Sequence, residues 1–324
     1  ALECVNCYAA TLGHRFGIEW GPGGIRVESS ERTWREPFRW AKRPWVCDEC
    51  GTSRNSKDNG GITSRDAYSN GQPYGKCTPC DDEYASFRRT RVFALSMGDW
   101  LEDEPRTWTH KGKPQGGIPV AWLARMLDTI RQTPTLNWIL LTKRPEAFEA
   151  RMQAVRGYAE ASANRELLYW LSRWVHGTPP KNVCVMTSVG YQKAADDRIP
   201  HLLRIPARWH GLSLEPLLGP VALWLGAIGL QHPERFWLIP GGESGHGARL
   251  CDADWIRYII DQGESAGCRV FVKQLGARPF GRWAKGADLE LPSAGWKLRI
   301  DHPKCGDPAE WPKDLRVRQF PEGM

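Results

Sequence analysis

Six of the ten cysteines stand in three Cys-x-x-Cys pairs, Cys4/Cys7, Cys47/Cys50 and Cys77/Cys80, all in the first quarter of the chain. Clustered pairs of this kind point to metal or cluster ligation in a reducing compartment, because a disulfide framework belongs to smaller secreted chains. The pairs at 47/50 and 77/80 flank 26 residues rich in Gly, Asn and Ser, the spacing of a four-thiolate structural zinc site. That loop has almost no apolar residues for a core, so the metal would hold it folded. Taken alone, Cys4-x-x-Cys7 suits half a zinc site, a redox pair or two ligands of an iron–sulfur cluster. Cys184, Cys251, Cys268 and Cys305 stand singly and read as buried small hydrophobes.

A second group of residues suits a polyanion. Between Arg32 and Trp45, basic side chains alternate with aromatic ones, and Arg35, Arg39, Trp40, Lys42 and Arg43 are the candidates for nucleic-acid contact. Arginine and lysine would meet phosphates while a ring stacks on an unpaired base. The same segment also reads as a Trp-anchored connection, and both readings stay open. A balance of 44 Lys+Arg against 37 Asp+Glu, a formal charge of +7, permits such a partner without demanding one.

The elements that must position these groups follow one pattern after residue 90: a short β-rich apolar run, a polar end, then a helical stretch. The runs are Arg91–Leu95, Trp138–Thr142, Val183–Thr187, Gly211–Leu214, Phe236–Ile239 and Arg269–Val272. Helical spacing is clear at Leu123, Met126, Leu127 and Ile130, and again at Trp255, Ile256, Ile259 and Ile260, the latter closed by Gly267. Strand–helix alternation implies a parallel sheet with right-handed crossovers. With one more strand expected near Cys4, the chain reads as a full or partial (β/α) barrel whose chemistry gathers at the C-terminal strand ends. Those ends offer Ser96, Gly98 and Asp99, then Lys143, Ser188, Glu215, Gly241-Gly242-Glu243 and Lys273.

With 324 residues, 41% hydrophobic and 25% charged, the chain is long enough for a sizeable core and reads as a globular protein of about two domains. The longest apolar stretch, Val221 to Leu230, is too short to span a bilayer, so a cytoplasmic protein without membrane contact is expected. Seventeen tryptophans, as many as Tyr and Phe together, supply many stackable rings. The expected division is 1–46 for a cluster loop and basic–aromatic connection, 47–80 for a zinc-ribbon-like insertion, and 81–324 for the barrel and a C-terminal extension.

Five ordered blocks carry a family resemblance: Arg91–Asp99, Leu140–Glu146, Leu212–Pro220, Pro240–Arg249 and Phe271–Gln274, with Gly306–Pro312 and Leu315–Pro321 also familial. Together they resemble a phage-associated three-Cys-motif family, long carried as a domain of unknown function, whose cysteine motif is similar to the cluster loop of radical S-adenosylmethionine (SAM) enzymes. Cys4 and Cys7 match the Cys-x-x-Cys-Tyr of that motif. Its upstream cysteine has no counterpart in residues 1–3, so the third thiolate is expected upstream of Ala1, or else from another part of the chain.

The resemblance implies a barrel of radical-SAM type with a small Cys4 zinc-binding insertion, a [4Fe-4S] cluster with one open iron, and SAM chelated there. An electron from the cluster, delivered by a reductant protein, would release a 5′-deoxyadenosyl radical. By strand order, Ser96, Gly98 and Asp99 would meet the SAM amino group, with Lys143 and Ser188 also on the cofactor side. Glu215, Glu243 and Lys273 would contact substrate. The phage association and the basic–aromatic segment favour DNA or a modified nucleotide as substrate, with hydrogen abstraction and rearrangement of an amino-acid-decorated thymine, an isomerase-type reaction. A base would leave the duplex to reach the rim. The competing expectation is a non-enzymatic zinc-containing nucleic-acid-binding protein. A zinc hydrolase is weakened because the eight histidines show no His-x-x-x-His spacing.

Overall fold

The computed structural model describes residues 26–48, 50–54, 74–77, 80, 82–95, 98–102, 108–110, 113–115, 119–281 and 302–324. A short strand, β1 (Arg26–Val27), leads into helix α1 (Glu31–Trp40). Ser30 caps α1 by accepting the Thr33 N–H at 3.3 Å, and Glu31 sits in the first turn, where the helix dipole favours an acid. The basic–aromatic segment is therefore helical as far as Trp40, with Lys42 and Arg43 in the turn that follows and Trp45 opening the next strand. Four strands follow: β2 (Trp45–Cys47), β3 (Ser53–Arg54), β4 (Tyr74–Cys77) and β5 (Asp82–Arg89). They form an antiparallel sheet in the order β3-β2-β5-β4. This module extends from Trp45 to Arg89, beyond the span between its first and last cysteines.

The rest of the described chain is built on a six-stranded parallel sheet. Strand β6 (Arg91–Ala94) precedes a small hairpin, β7 (Trp108–His110) and β8 (Lys113–Gln115), in which β7 also pairs with β1. Helix α2 (Val120–Gln132) leads to β9 (Asn137–Thr142). Helices α3 (Phe148–Ala161) and α4 (Arg165–Val175) then precede β10 (Val183–Ser188). Helix α5 (Gln192–Arg204), β11 (Trp209–Leu214), the short α6 (Leu225–Ile228) and β12 (Phe236–Pro240) come next. Strand β13 (Cys251–Asp252), α7 (Ala253–Ser265), β14 (Arg269–Val270) and β15 (Pro279–Phe280) complete the set.

All six apolar runs are strands of one sheet, ordered β14-β12-β11-β10-β9-β6, with each parallel to its neighbours. The sheet is singly wound, since each strand lies beside the next in sequence, which is the order a (β/α) barrel uses. The strand expected near Cys4 lies outside the described residues.

Alternation along each strand separates two apolar layers. Leu140, Val185, Leu212 and Leu238 face the helices and join Leu123, Leu127, Ile130 and Ile256 in the main core. Trp100 stacks on Trp174 there, with ring centroids 6.4 Å apart. Ile139, Cys184, Met186, Trp209 and Trp237 form the layer on the other face. Near the N-terminal end of the sheet the chain's last residues cover that face. The indole N–H groups of Trp209 and Trp237 donate to the carbonyls of Glu322 and Gln319 at 2.9 and 3.0 Å, and Phe320 lies against Trp237 and Phe271.

Candidate functional site

The first constellation is a thiolate centre. Cys47 ends β2 and is fully buried, whereas Cys50 and Cys80 are exposed, and the three sulfurs lie within 4.8 Å of one another. The turn after Cys47 brings them together: the Gly51 N–H donates to the Cys47 carbonyl at 3.0 Å, with Gly51 at φ +69°, a conformation glycine adopts without strain. Cys47 Sγ and Cys80 Sγ are 3.9 Å apart. Two ligands of a tetrahedral zinc with bonds of ~2.3 Å stand about 3.8 Å apart, so this spacing fits the metal. Cys77 ends β4, paired with Asp82 across the hairpin; its side chain lies outside the described residues. Three close cysteines can thus hold a metal ion, and zinc is compatible with them. Cys4 and Cys7 lie outside the described residues.

The four single cysteines are buried, as expected, and burial pushes their thiols away from reactivity. Cys251 is raised to about 12, Cys268 to about 11 and Cys305 to about 12, and Cys184 is raised furthest.

The second constellation is the C-terminal edge of the parallel sheet. Here Asp99 ties β6 to β9: its carboxylate accepts from Thr142 Oγ1 at 2.7 Å, the Lys143 N–H at 2.8 Å and Arg144 Nη1 at 3.3 Å. It also accepts the Leu101 N–H at 3.1 Å. Gly98 closes the turn after β6 by donating to the Leu95 carbonyl, while Ser96 lies outside the described residues. Ser188 is buried and in register with Ser213 on β11, and its carbonyl accepts from Arg198 Nη1 at 2.6 Å.

Across the sheet, Glu215 accepts from Lys273 Nζ at 2.6 Å and from Gln274 Nε2 at 2.8 Å. Gln274 also donates to the Gly242 carbonyl at 3.0 Å, which links this group to the Gly241-Gly242-Glu243 segment. The two glycines serve close backbone packing: a Cβ on Gly242 would lie 2.2 Å from the Leu275 carbonyl oxygen, and one on Gly241 would lie 3.2 Å from that of Gln274. Glu243 is buried and held by Arg249 through Nη2 at 2.6 Å, Nε at 2.9 Å and the backbone N–H at 2.9 Å.

The structure therefore brings Glu215 and Lys273 into one ion pair and places Lys143 beside Asp99. Glu243 lies in a separate fork with Arg249. Sequence reasoning did not single out Thr142, Arg144 or Arg249 as partners of these carboxylates. The signal for Arg249 was present in the glycines between it and Glu243, since Gly245 and Gly247 take φ +97° and +79° and turn the loop back.

The third constellation is the outer face of α1. Trp34 and Pro37 face inward, and the Arg125 guanidinium lies over the Trp34 ring at 4.6 Å while forking onto Glu31 at 2.6 and 2.7 Å. Arg35, Arg39, Trp40, Lys42 and Arg43 are all exposed, and Phe38 joins them. Arg39 pairs with Glu36 at 2.6 Å. The anchoring tryptophan and the exposed basic–aromatic surface thus lie on one helix, the surface continuing into the turn at Lys42 and Arg43.

Fold and site together define a singly wound parallel α/β protein that carries, on an antiparallel module, three close cysteines able to hold a metal ion. The chain belongs to the family described as "Protein of unknown function (DUF5131)", whose model matches residues 1–291. Comparison with curated proteins and with solved structures gives no match. Among the described residues, no helix is long and apolar enough to cross a membrane.

Proposed function

We propose that this chain is a radical SAM enzyme acting on nucleic acid, with phage DNA-base hypermodification as the reaction class. The observation that carries the reading is that Asp99, Lys143, Ser188, Glu215 and Lys273 all fall at the C-terminal ends of strands of one singly wound parallel sheet, in two contact groups, Asp99 with Lys143 and Glu215 with Lys273, the edge where (β/α) proteins place their chemistry. The Cys4-x-x-Cys7-Tyr8 motif supplies a donor set suited to an iron–sulfur cluster. Bound there, the cluster and SAM would supply a carbon-centred radical able to take hydrogen from an unactivated carbon.

The chain's own residues bind and orient. Asp99 fixes the Lys143 backbone and the turn after β9, so the cofactor-side loops are held before any ligand arrives. Glu215 holds the Lys273 ammonium at the rim, where it would meet a carboxylate or phosphate of the substrate. Arg35, Arg39, Lys42 and Arg43 would neutralise backbone phosphates, and Trp40, 40% exposed, offers a stacking face.

The test is iron, sulfide and zinc content per chain after anaerobic reconstitution, in a protein extended upstream of Ala1, with 5′-deoxyadenosine release measured with and without DNA. The expected result is one cluster and one zinc, with nucleoside release that DNA stimulates. Zinc in every cysteine pair and no affinity for SAM would instead support a non-enzymatic nucleic-acid-binding protein, a reading favoured by the thiolate centre's place directly after α1.

A further inference from the structure

Three adjacent strands of the parallel sheet are each entered through a cation. Lys181 stands two residues before β10, Arg208 one before β11 and Arg235 one before β12. These residues line a cavity of about 660 Å³ at the N-terminal end of the sheet, the end opposite the strand-end carboxylates. Leu203 of α5, Ile228 of α6 and Leu230 form its apolar side, and the imidazoles of His210 and His232 complete its polar side.

The carboxylates that face these cations come from outside the cavity lining. Among the described residues no carboxylate lines the cavity. Glu234, outside the lining, meets His232 at 3.2 Å and Arg235 at 3.7 Å. Arg208 lies over the Trp209 ring at 4.6 Å, and its Nε is buried without a hydrogen-bond partner. Burial first, then the charges of Arg235 and Arg89, hold the Arg208 guanidinium below its ordinary value, with Glu322 opposing. Positive charges gathered on one concave surface would be stabilised by a bound anion.

We propose that this cavity is a binding site for a small organic phosphate, its anionic oxygens held by Lys181, Arg208 and Arg235 and its apolar part laid on Leu203, Ile228 and Leu230. Three cations suit the double charge and multiple acceptor oxygens of a phosphomonoester better than a single carboxylate. The volume falls in the range of small-ligand sites, and the apolar wall would be idle under inorganic phosphate alone. The site is independent of the strand-end chemistry, and its test uses neither cluster nor SAM.

Isothermal titration of the zinc-loaded full chain with phenyl phosphate, in phosphate-free buffer, should show one saturable site at least about tenfold tighter than for inorganic phosphate. Lys181→Glu and Arg235→Glu should each weaken phenyl phosphate by about tenfold or more, with zinc content and thermal midpoint unchanged. Ile228→Trp, which fills the apolar side, should block phenyl phosphate and leave the weaker inorganic phosphate binding in place. No saturable binding, equal affinity for the two phosphates, or affinities indifferent to these substitutions would overturn the proposal. So would displacement by single-stranded oligonucleotides with affinity rising with length, which would make the surface a polynucleotide track.

Discussion

Asp99 shows how much one carboxylate can organise. Its oxygens collect a hydroxyl, two backbone N–H groups and a guanidinium from two strand ends. Removing it leaves these donors facing a half-buried gap. Asp99→Ala should therefore lower unfolding stability by about 1.5–3 kcal/mol, the range for hydrogen bonds to a charged group. Urea titration should show a lower midpoint with an unchanged slope, and a midpoint equal to wild type would remove Asp99 from this role.

His210 makes a second residue-scale case, through pH. Burial holds its imidazole below the ordinary 6.5, against the opposing effect of the Ile205 carbonyl that its Nε2–H meets at 2.8 Å. The unfolded chain takes up the proton near 6.5 while the folded chain resists until a lower pH. This contribution to stability is thus full above 6.5 and declines as pH falls from there through the folded value. Unfolding free energy measured from pH 7.5 to 5 should fall less steeply in His210→Gln than in wild type. Parallel curves would show that His210 contributes nothing to the acid limb.

At the scale of elements, the strands were legible because each run is mostly apolar with its polar residues few, and the sheet matches those runs within about two residues. Strand β11 starts earlier than its apolar run, since Trp209 reaches the inner layer and His210 is tolerated at the strand's entry. The helical nature of α1 was hidden by Pro37, which periodicity treats as a breaker, yet the Ser30 cap and the Arg125–Glu31 fork hold the helix through it. The strand-end carboxylates were readable from position, but which residue each would meet was not, because pairs such as Asp99 with Thr142 or Glu215 with Lys273 are set by the neighbouring strands rather than by local sequence.

The C-terminal segment was least readable of all. Residues Leu315 to Pro321 stand out as a sequence block without saying where they go. In the structure Val317 and Gln319 pair with the backbone of Val272 and Val270. Phe320 and Met324 then cover the tryptophan layer, and Arg91 Nη2 donates to the Met324 carbonyl at 3.1 Å. Deleting residues 319–324 should uncover Trp209 and Trp237 and orphan both indole N–H groups. The cost should reach about 3 kcal/mol or more, from two hydrogen bonds and the buried Met324 side chain. Tryptophan emission should shift to longer wavelength in the truncated chain at native pH. Unshifted emission with wild-type stability would show that the segment is a passive cover.

The whole molecule joins two parts of different origin of order. The parallel sheet is held by two apolar layers, and most described tryptophans serve them, with Trp138, Trp174, Trp209, Trp237 and Trp311 all buried. The antiparallel module offers only Cys47, Phe87 and partly buried Trp45 as its described apolar cluster. So small a described core would leave the module dependent on a metal held by Cys47, Cys50 and Cys80. Helix α1 belongs to the first part, because Trp34 and Glu31 are held by Arg125 of α2 and the Ala41 carbonyl lies 3.4 Å from Thr135 Oγ1.

This division separates the proposed zinc binding from the proposed nucleic-acid binding in one experiment. Chelation of zinc should abolish the module's structure while leaving the near-ultraviolet signal of the buried tryptophans, and α1 should keep its place on the sheet. DNA affinity should then fall only modestly on chelation. By contrast, Arg35→Glu with Arg39→Glu should lower affinity strongly and reduce the slope of log affinity against log salt by about 2, close to one unit per phosphate contact removed. Zinc content in that variant should match wild type. If chelation alone removes DNA affinity and the charge reversal does not, the nucleic-acid surface lies on the metal module, and the exposed side of α1 is a solvated face.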